Sequence, residues 1–394
     1  MSGQYVVLSR KYRPKVLGDL IGQEMLAKAL KSCIDNSKIP HAFLFHGIRG
    51  VGKTTTARIL SRCLSCLGSD GLTNTTSQPC GVCRSCLAID RDQHMDIMEF
   101  DAASRTGVDD IREIIDSSQY APILGRYKIY IIDEIHMLSK SAFNALLKTL
   151  EEPPQHVKFI FATTEIHKIP ETILSRCMIF QLKPVSNSSL SEYLNSISER
   201  EGYILEQSAR DTIAEESGGS VRDSLSILEQ AIMLSPDDKR ITSEVVISML
   251  GGATNQEIEE VLLSILSADT KGALSKMEEL ISKGADPFVI YKSIQNSLYK
   301  LIVKSVNGEE NPHNHHSIQN LLYLWQILLR QTENMNNAEN PEHVLNAAVV
   351  ILSITASLQN IGDLSIKDES PSSNGQVMDK ILRKFDGIRV NEIE

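Results

Sequence analysis

No stretch of this 394-residue chain stays apolar for the ~18 residues that a membrane-crossing helix needs; the longest candidate, "NAAVVILSI" (Asn346 to Ile354), is broken by polar side chains. The N-terminal "MSGQYVVLSRKYRP" lacks the apolar core and small-residue cleavage site of a secretory signal, so a cytoplasmic location is expected. Cysteine is scarce: seven thiols are too few to staple a chain of this length, and a reducing compartment would keep them free. Net positive charge is lacking too. The balance of −10, concentrated in the second half of the chain, excludes a general DNA-coating protein, while a mildly basic N-terminal part can still touch phosphates locally.

What is present is ordinary globular material, 42 % apolar and 23 % charged, long enough for two or three cores. Five β-rich runs alternate with helical segments: "HAFLFHG" (His41 to Gly47), "MDIMEFD" (Met95 to Asp101), "KIYIIDE" (Lys128 to Glu134), "VKFIFATT" (Val157 to Thr164) and "CMIFQL" (Cys177 to Leu182). The third and fourth are apolar nearly throughout, the mark of strands covered on both faces. Such alternation predicts an α/β layer fold with a parallel sheet over residues 1–185. From Ser186 the strand signal stops, and helical spacing predicts a three-helix domain over 186–240 and a second helical block over 241–365. Residues 366–394 read as a polar linker, "KDESPSSNG", and a short tail, "QVMDKILRKFDG".

"GIRGVGKT" (Gly47 to Thr54) matches G-x-x-x-x-G-K-[ST] between a predicted strand and a predicted helix, the context in which that pattern holds phosphates. Gly47, Gly50 and Gly52 let the backbone curl so that N–H groups along Ile48, Arg49, Val51 and Thr55 can face inward. Lys53 would neutralise phosphate charge, and the Thr54 hydroxyl would ligate Mg²⁺. "IYIIDEIH" supplies the second half of the site. An apolar strand ending in two acids sets Asp133 near Mg²⁺ and Glu134 where it can polarise a water. Together they predict nucleoside triphosphate hydrolysis, with the base unspecified.

Four thiols, Cys66, Cys80, Cys83 and Cys86, fall in one short stretch, with Cys63 just before it. The C-x2-C-x2-C run "CGVCRSC" plus one upstream cysteine permits a tetrahedral Zn²⁺ site with no open position, hence a structural one, in an insert at about residues 63–90. Spacing alone leaves Cys63 and Cys66 as rivals for the fourth ligand. An iron–sulfur cluster is the competing metal, although Leu87-Ala88 stands where a ferredoxin run places Cys-Pro. "PHNHHS" (Pro312 to Ser317) reads as a polar loop, because no cysteine or acid stands nearby at ligand spacing.

Taken in order, "YRPKVLGDLIGQE", "GIRGVGKT", "PCGVCRSC", "YIIDEIHMLS", "NALLKTLEEPP", "FATTE", "ILSRCMIF" and "GGSVRDSLS" resemble the gamma/tau subunits of bacterial DNA polymerase III, the AAA+ motors of sliding-clamp loaders. The resemblance is dense from Tyr5 to Leu228 and looser to about Asn360. It implies an AAA+ domain, a helical lid, a helical collar that builds a ring, and ATP as the nucleotide. It favours Cys66 as the fourth zinc ligand and gives Thr164 a place between Mg²⁺ and the attacking water. It makes Arg176 in "SRC" a finger projected into the neighbouring subunit's site, Arg222 a lid arginine on the γ-phosphate, and Arg13 a neighbour of the nucleotide. Arg105 and Lys148 become the contacts to primed DNA, through phosphates only, since no aromatic platform accompanies them. Implied partners are delta and delta-prime subunits and the beta clamp, in a hetero-oligomeric ring, pentameric by analogy. Domains that tether polymerase and helicase in the family's long form are not expected here in full. Competing readings are a non-hydrolysing scaffold like delta-prime and another AAA+ remodeller such as a branch-migration motor.

Overall fold

Each of the five β-rich runs becomes a strand. In the computed structural model, which describes residues 5–71, 74–104, 107–235, 239–307 and 317–357, the chain forms two compact units, Met1–Met249 and Leu250–Glu394. Arg105, the histidines of "PHNHHS" and the 366–394 linker and tail lie outside the described residues.

In the first unit, α1 (Leu8–Lys11) and α2 (Glu24–Asp35) precede β1 (Ala42–His46), then α3 (Lys53–Ser65) and α4 (Arg84–Asp90) lead to β2 (Ile97–Asp101). Next come α5 (Val108–Ser118), β3 (Lys128–Asp133), α6 (Lys140–Glu151), β4 (Val157–Thr163), α7 (Glu171–Leu174) and β5 (Met178–Gln181). The strands pair in parallel in the order β2-β3-β4-β1-β5. Side chains alternate across the sheet. Leu44, Tyr130, Ile132, Phe159 and Phe161 share one core with Ile111 and Ile114 of α5 and Phe143, Leu146 and Leu150 of α6. Phe43, Phe45, Ile129, Ile131 and Ile160 share the other with Leu26 and Leu30 of α2 and Ile59, Leu60 and Leu64 of α3. Both faces are therefore dry, which is why β4 is buried at every position. This order also sets the C-terminal ends of β1 and β3 on either side of β4, the kind of crevice in which parallel sheets hold ligands.

The expected three-helix lid follows as α8 (Asn187–Glu201), α9 (Gln207–Glu216) and α10 (Val221–Leu234), with a short strand, β6 (Ile204–Leu205), between α8 and α9. Ser186 and Ser220 cap α8 and α10 by accepting the Ser189 and Asp223 N–H groups, and Gly202, at φ 79°, ends α8. One feature departs from the sequence reading: β6 pairs in parallel with β7 (Arg240–Ile241), strands too short to show any periodicity. Beyond them α11 (Ser243–Met249) packs on α9 and α10 with Val246 fully buried. Hydrophobic spacing marks a helix but not which neighbour it covers.

The second unit is helical: α12 (Asn255–Leu266), α13 (Thr270–Ser282), α14 (Pro287–Val306), α15 (Ile318–Asn336) and α16 (Pro341–Ala356). Thr254 and Glu257 form a capping box ahead of α12, while Asp286-Pro287 and Asn340-Pro341 start α14 and α16. Val261, Met277, Ile290, Ile294, Leu321 and Leu352 share one core. No described helix is long and apolar enough to cross a membrane.

Candidate active site and metal centre

β1 ends at His46, and the loop that follows turns through Gly50 at φ 74° and Gly52 at φ 108°, backbone conformations that side chains resist. At Gly50 a Cβ would also overlap Ser220 Oγ and lie 3.2 Å from Arg222 Cβ. That close approach seats the lid on the loop, and the Arg222 N–H donates to the Gly50 carbonyl at 3.2 Å. Lys53 opens α3. Its ammonium is buried and donates to the Gly47 and Ile48 carbonyls, both at 3.0 Å. Burial pulls its pKa down, against the opposing pull of Glu134 and Asp133.

Across the crevice, the Thr54 hydroxyl donates to Asp133 Oδ2 at 2.5 Å, and Asp133 Oδ1 accepts the Glu134 N–H at 3.0 Å. Glu134 itself sits at φ 47°, in the left-handed region that non-glycine residues seldom occupy. That turn aims its carboxylate at the end of β4, where Oε2 accepts the Thr164 N–H at 3.1 Å and the Thr164 hydroxyl at 3.0 Å. His136 is a third neighbour, with Nδ1 3.4 Å from Glu134 Oε2 and 3.0 Å from Thr163 Oγ1, and Nε2 3.3 Å from Glu165. The chain's sequence shows "DEIH", but nothing in the pattern signals that this histidine is 7 % exposed and wedged between two glutamates.

These groups line one cavity of about 730 Å³, within the size range of ligand sites. Arg13, Arg49, Gly50 to Thr55, Asp133, Glu134, Thr164 and Arg222 all border it. Cationic groups of the loop, lid and N-terminal segment thus border a space that the Asp133 and Glu134 carboxylates also line. A triphosphate fits the first and a hydrated Mg²⁺ the second, since Thr54 and Asp133 offer hard oxygen donors side by side. Arg13 reaches the rim because the N-terminal segment is tied to the lid: Lys11 Nζ and Tyr12 OH donate to Glu201 Oε1 at 2.7 and 2.5 Å, and the Leu8 N–H and Tyr5 OH to Glu229. Nothing in the sequence pattern marks Arg58. It lies one turn beyond Thr54, forks onto both Glu99 oxygens at 2.7 and 3.0 Å, and borders the same cavity.

The Sγ atoms of Cys66, Cys80, Cys83 and Cys86 lie within 4.8 Å of one another. Four thiolates at ~2.3 Å from one Zn²⁺ would need only modest tightening of that cluster. Backbone N–H groups point at the sulfurs, from Gly68 and Cys80 to Cys66 (3.4 and 3.3 Å), from Cys83 to Cys80 (3.3 Å), and from Leu67 and Cys86 to Cys83 (3.5 and 3.4 Å). Burial pushes the Cys83 thiol up, but the Cys86 and Leu67 N–H groups outweigh it and bring its pKa down to about 7. Cys63 is outside the cluster. It is fully buried in the sheet core, its thiol donates to the Ser77 carbonyl at 3.8 Å, and burial raises its pKa to about 12. The donor set suits a structural zinc centre. Arg126 Nη1 donates to the Cys66 carbonyl at 2.7 Å, and the buried Arg62 pairs with Asp90, fastening the insert to the domain.

Comparison with known proteins gives three consecutive family matches. The model described as DNA polymerase III, delta subunit covers residues 22–186. That of the DNA polymerase III clamp loader subunit, ATPase lid domain, covers 189–237, and DNA polymerase III subunits gamma and tau domain III covers 241–364. DNA polymerase III subunit gamma of Buchnera aphidicola subsp. Baizongia pistaciae is 43 % identical over 268 residues, which are 68 % of this chain and 70 % of that protein. The chain belongs to the DNA polymerase III gamma/tau family. The subunit tau/gamma of Haemophilus influenzae is 38 % identical over 345 residues, 85 % of this chain but 49 % of that protein, so the chain spans about half the length of some curated relatives. The solved RuvB Holliday junction branch migration motor of Thermotoga maritima is 22 % identical, with a TM-score of 0.46 over 64 % of this chain and 79 % of that one. The α/β P-loop domain, helical lid and further helical domain expected from the sequence are those of this family.

Two family-implied residues stand elsewhere. Arg176, between α7 and β5, does not border the cavity; its Nη2 pairs with Glu151 Oε1 at 2.6 Å and Nη1 donates to the Thr172 carbonyl at 2.7 Å. Lys148 is exposed on α6.

Proposed function

We propose that this chain is the ATP-hydrolysing motor subunit of a bacterial clamp loader, which places the sliding clamp on primed DNA as part of the DNA polymerase III holoenzyme. The observation that carries the reading is the Thr54–Asp133–Glu134–Thr164 constellation facing a buried P-loop lysine. Lys53 leaves its loop carbonyls to bind phosphate oxygens, with the N–H groups of Gly47 to Thr55 around them. Thr54 and Asp133 hold Mg²⁺, which when bound neutralises charge on the phosphates. Glu134, steadied by Thr164 and His136, orients a water whose oxygen attacks the γ-phosphorus as the bond to the β-phosphate oxygen breaks and ADP leaves. Arg13 and Arg222 contact the nucleotide from the N-terminal segment and the lid. Arg176 acts in trans, completing the site of the next subunit; its absence from its own chain's cavity agrees with that role, and such a group can supply ~10³–10⁵ in rate.

Zinc at Cys66, Cys80, Cys83 and Cys86 is structural. Lys148, with Arg105, contacts DNA phosphates, and the 241–365 domain joins the chain to delta- and delta-prime-type subunits in a cytoplasmic ring. The match of residues 22–186 to a delta-subunit model raises a second reading, a scaffold subunit without turnover; the intact Lys53, Asp133 and Glu134 oppose it. The test is reconstitution with delta- and delta-prime-type subunits, clamp and primed DNA, scoring clamp-on-DNA product and ATP turnover for wild type and Arg176→Ala. Loading that depends on both ATP and Arg176 is expected. No turnover with every partner present makes the chain a scaffold, and full loading by the variant removes the trans role of Arg176.

A further inference from the structure

We propose that Glu151 positions the Arg176 guanidinium for the neighbouring subunit's γ-phosphate, an inference that rests on reading Arg176 as a trans-acting residue. Glu151 is the last residue of α6, and Glu152 follows it. Backbone carbonyls make that end of a helix negative, so a carboxylate there is unfavourable. Its compensation is Arg176, whose Nη2 lies 2.6 Å from Oε1. A surface pair of this kind contributes little, on the same small scale. The two effects roughly cancel, so stability does not account for the arrangement. Geometry does.

A free arginine side chain samples many rotamers, and here it is drawn into one orientation from two sides. Glu151 holds Nη2, while the Thr172 carbonyl and Ser175 Oγ hold Nη1 at 2.7 and 3.3 Å. Both supports are rigid, since Leu146 and Leu150 of α6 share one buried cluster with Ile169 and Ile173 beside and within α7. Pro153 and Pro154 then stiffen the exit from α6. The hold is partial. The Nε–H and one Nη2–H have no partner among the described residues, and the side chain keeps 31 % exposure, so donors remain to meet a phosphate. Glu151 does not touch the reacting atoms, and it acts through Arg176 alone.

The full chain is assembled with its loader partners, clamp and primed DNA, and steady-state ATP hydrolysis is measured for wild type, Glu151→Gln, Glu151→Asp, Arg176→Ala and the Gln/Ala double variant. Because a misplaced catalytic group costs up to ~100-fold, Glu151→Gln should lower kcat about 10- to 100-fold at an unchanged KM for ATP. Glu151→Asp should recover most of the loss, and the double variant should be no slower than Arg176→Ala. A wild-type kcat in Glu151→Gln beside a crippled Arg176→Ala overturns the positioning role and leaves the trans reading standing. A wild-type rate in Arg176→Ala removes both. A further loss in the double variant overturns the proposal, because Glu151 would then act other than through Arg176. So does a lowered unfolding midpoint accompanied by a raised KM, which assigns Glu151 a structural role.

Discussion

Replacing Thr164 with alanine isolates one hydrogen bond in the hydrolytic site. The hydroxyl donates to Glu134 Oε2 at 3.0 Å, and alanine removes that donor while keeping the backbone N–H, which reaches the same oxygen at 3.1 Å. A hydrogen bond to a charged group is worth about 1.5–3 kcal/mol. Because the N–H and His136 still support the carboxylate, the lower part of that range applies, about 1.5–2 kcal/mol. At 1.36 kcal/mol per decade this is a loss of about 10- to 30-fold in the chemical step. Thr164→Ser keeps a hydroxyl and should stay near wild type. The assay is single-turnover hydrolysis of prebound ATP in the assembled loader, with nucleotide affinity measured separately by displacement of a fluorescent analogue. Affinity should hold while the rate falls. Thr164→Ala at the wild-type chemical rate, or Thr164→Ser as slow as alanine, would refute the claim that the end of β4 aligns Glu134.

Metal analysis of purified protein should find about one zinc per chain in wild type and in Cys63→Ser but almost none in Cys66→Ser, with no iron–sulfur absorption; zinc lost from the Cys63 variant and kept by the Cys66 variant would reverse the ligand assignment. Phe159→Ala, which empties a fully buried site at the centre of β4, should cost about 3–5 kcal/mol by denaturant titration followed by circular dichroism. A loss under 1 kcal/mol would mean the sheet core is not packed as described. Gly50→Ala meets both a φ of 74° and the Ser220 hydroxyl, so nucleotide affinity should fall about tenfold for the ~1–2 kcal/mol of backbone strain. Gly18→Ala, where a Cβ meets open space, should not change it.

Much of this protein was legible in local pattern. The five strands, the phosphate loop and the cysteine run are contiguous stretches whose chemistry depends on spacing of a few residues, and each formed where the sequence placed it. Spacing alone does not separate Cys63 from Cys66, because both stand on or at the end of the same helix, and only the family resemblance favours Cys66. Only the fold turned one thiol into the core and left the other at the helix end beside Cys80, Cys83 and Cys86.

The other gaps are of the same kind. His136 stands two residues beyond Glu134, yet its wedged position between Glu134 and Glu165 exists only because β3 and β4 lie side by side. The packing of α11 on α9 and α10, the tie from the N-terminal segment to Glu201 and Glu229, and the Glu151–Arg176 pair all join residues far apart in the chain or in separate elements. A sequence by itself determines which segments bury which faces and which short loops can bind phosphate or metal, because those properties are carried by neighbours along the chain. Which charged groups meet across the sheet, and which thiol joins the cysteine cluster, was decided by strand order and helix packing, since an ion pair or hydrogen bond forms only where the folded backbone brings two side chains within about 3 Å.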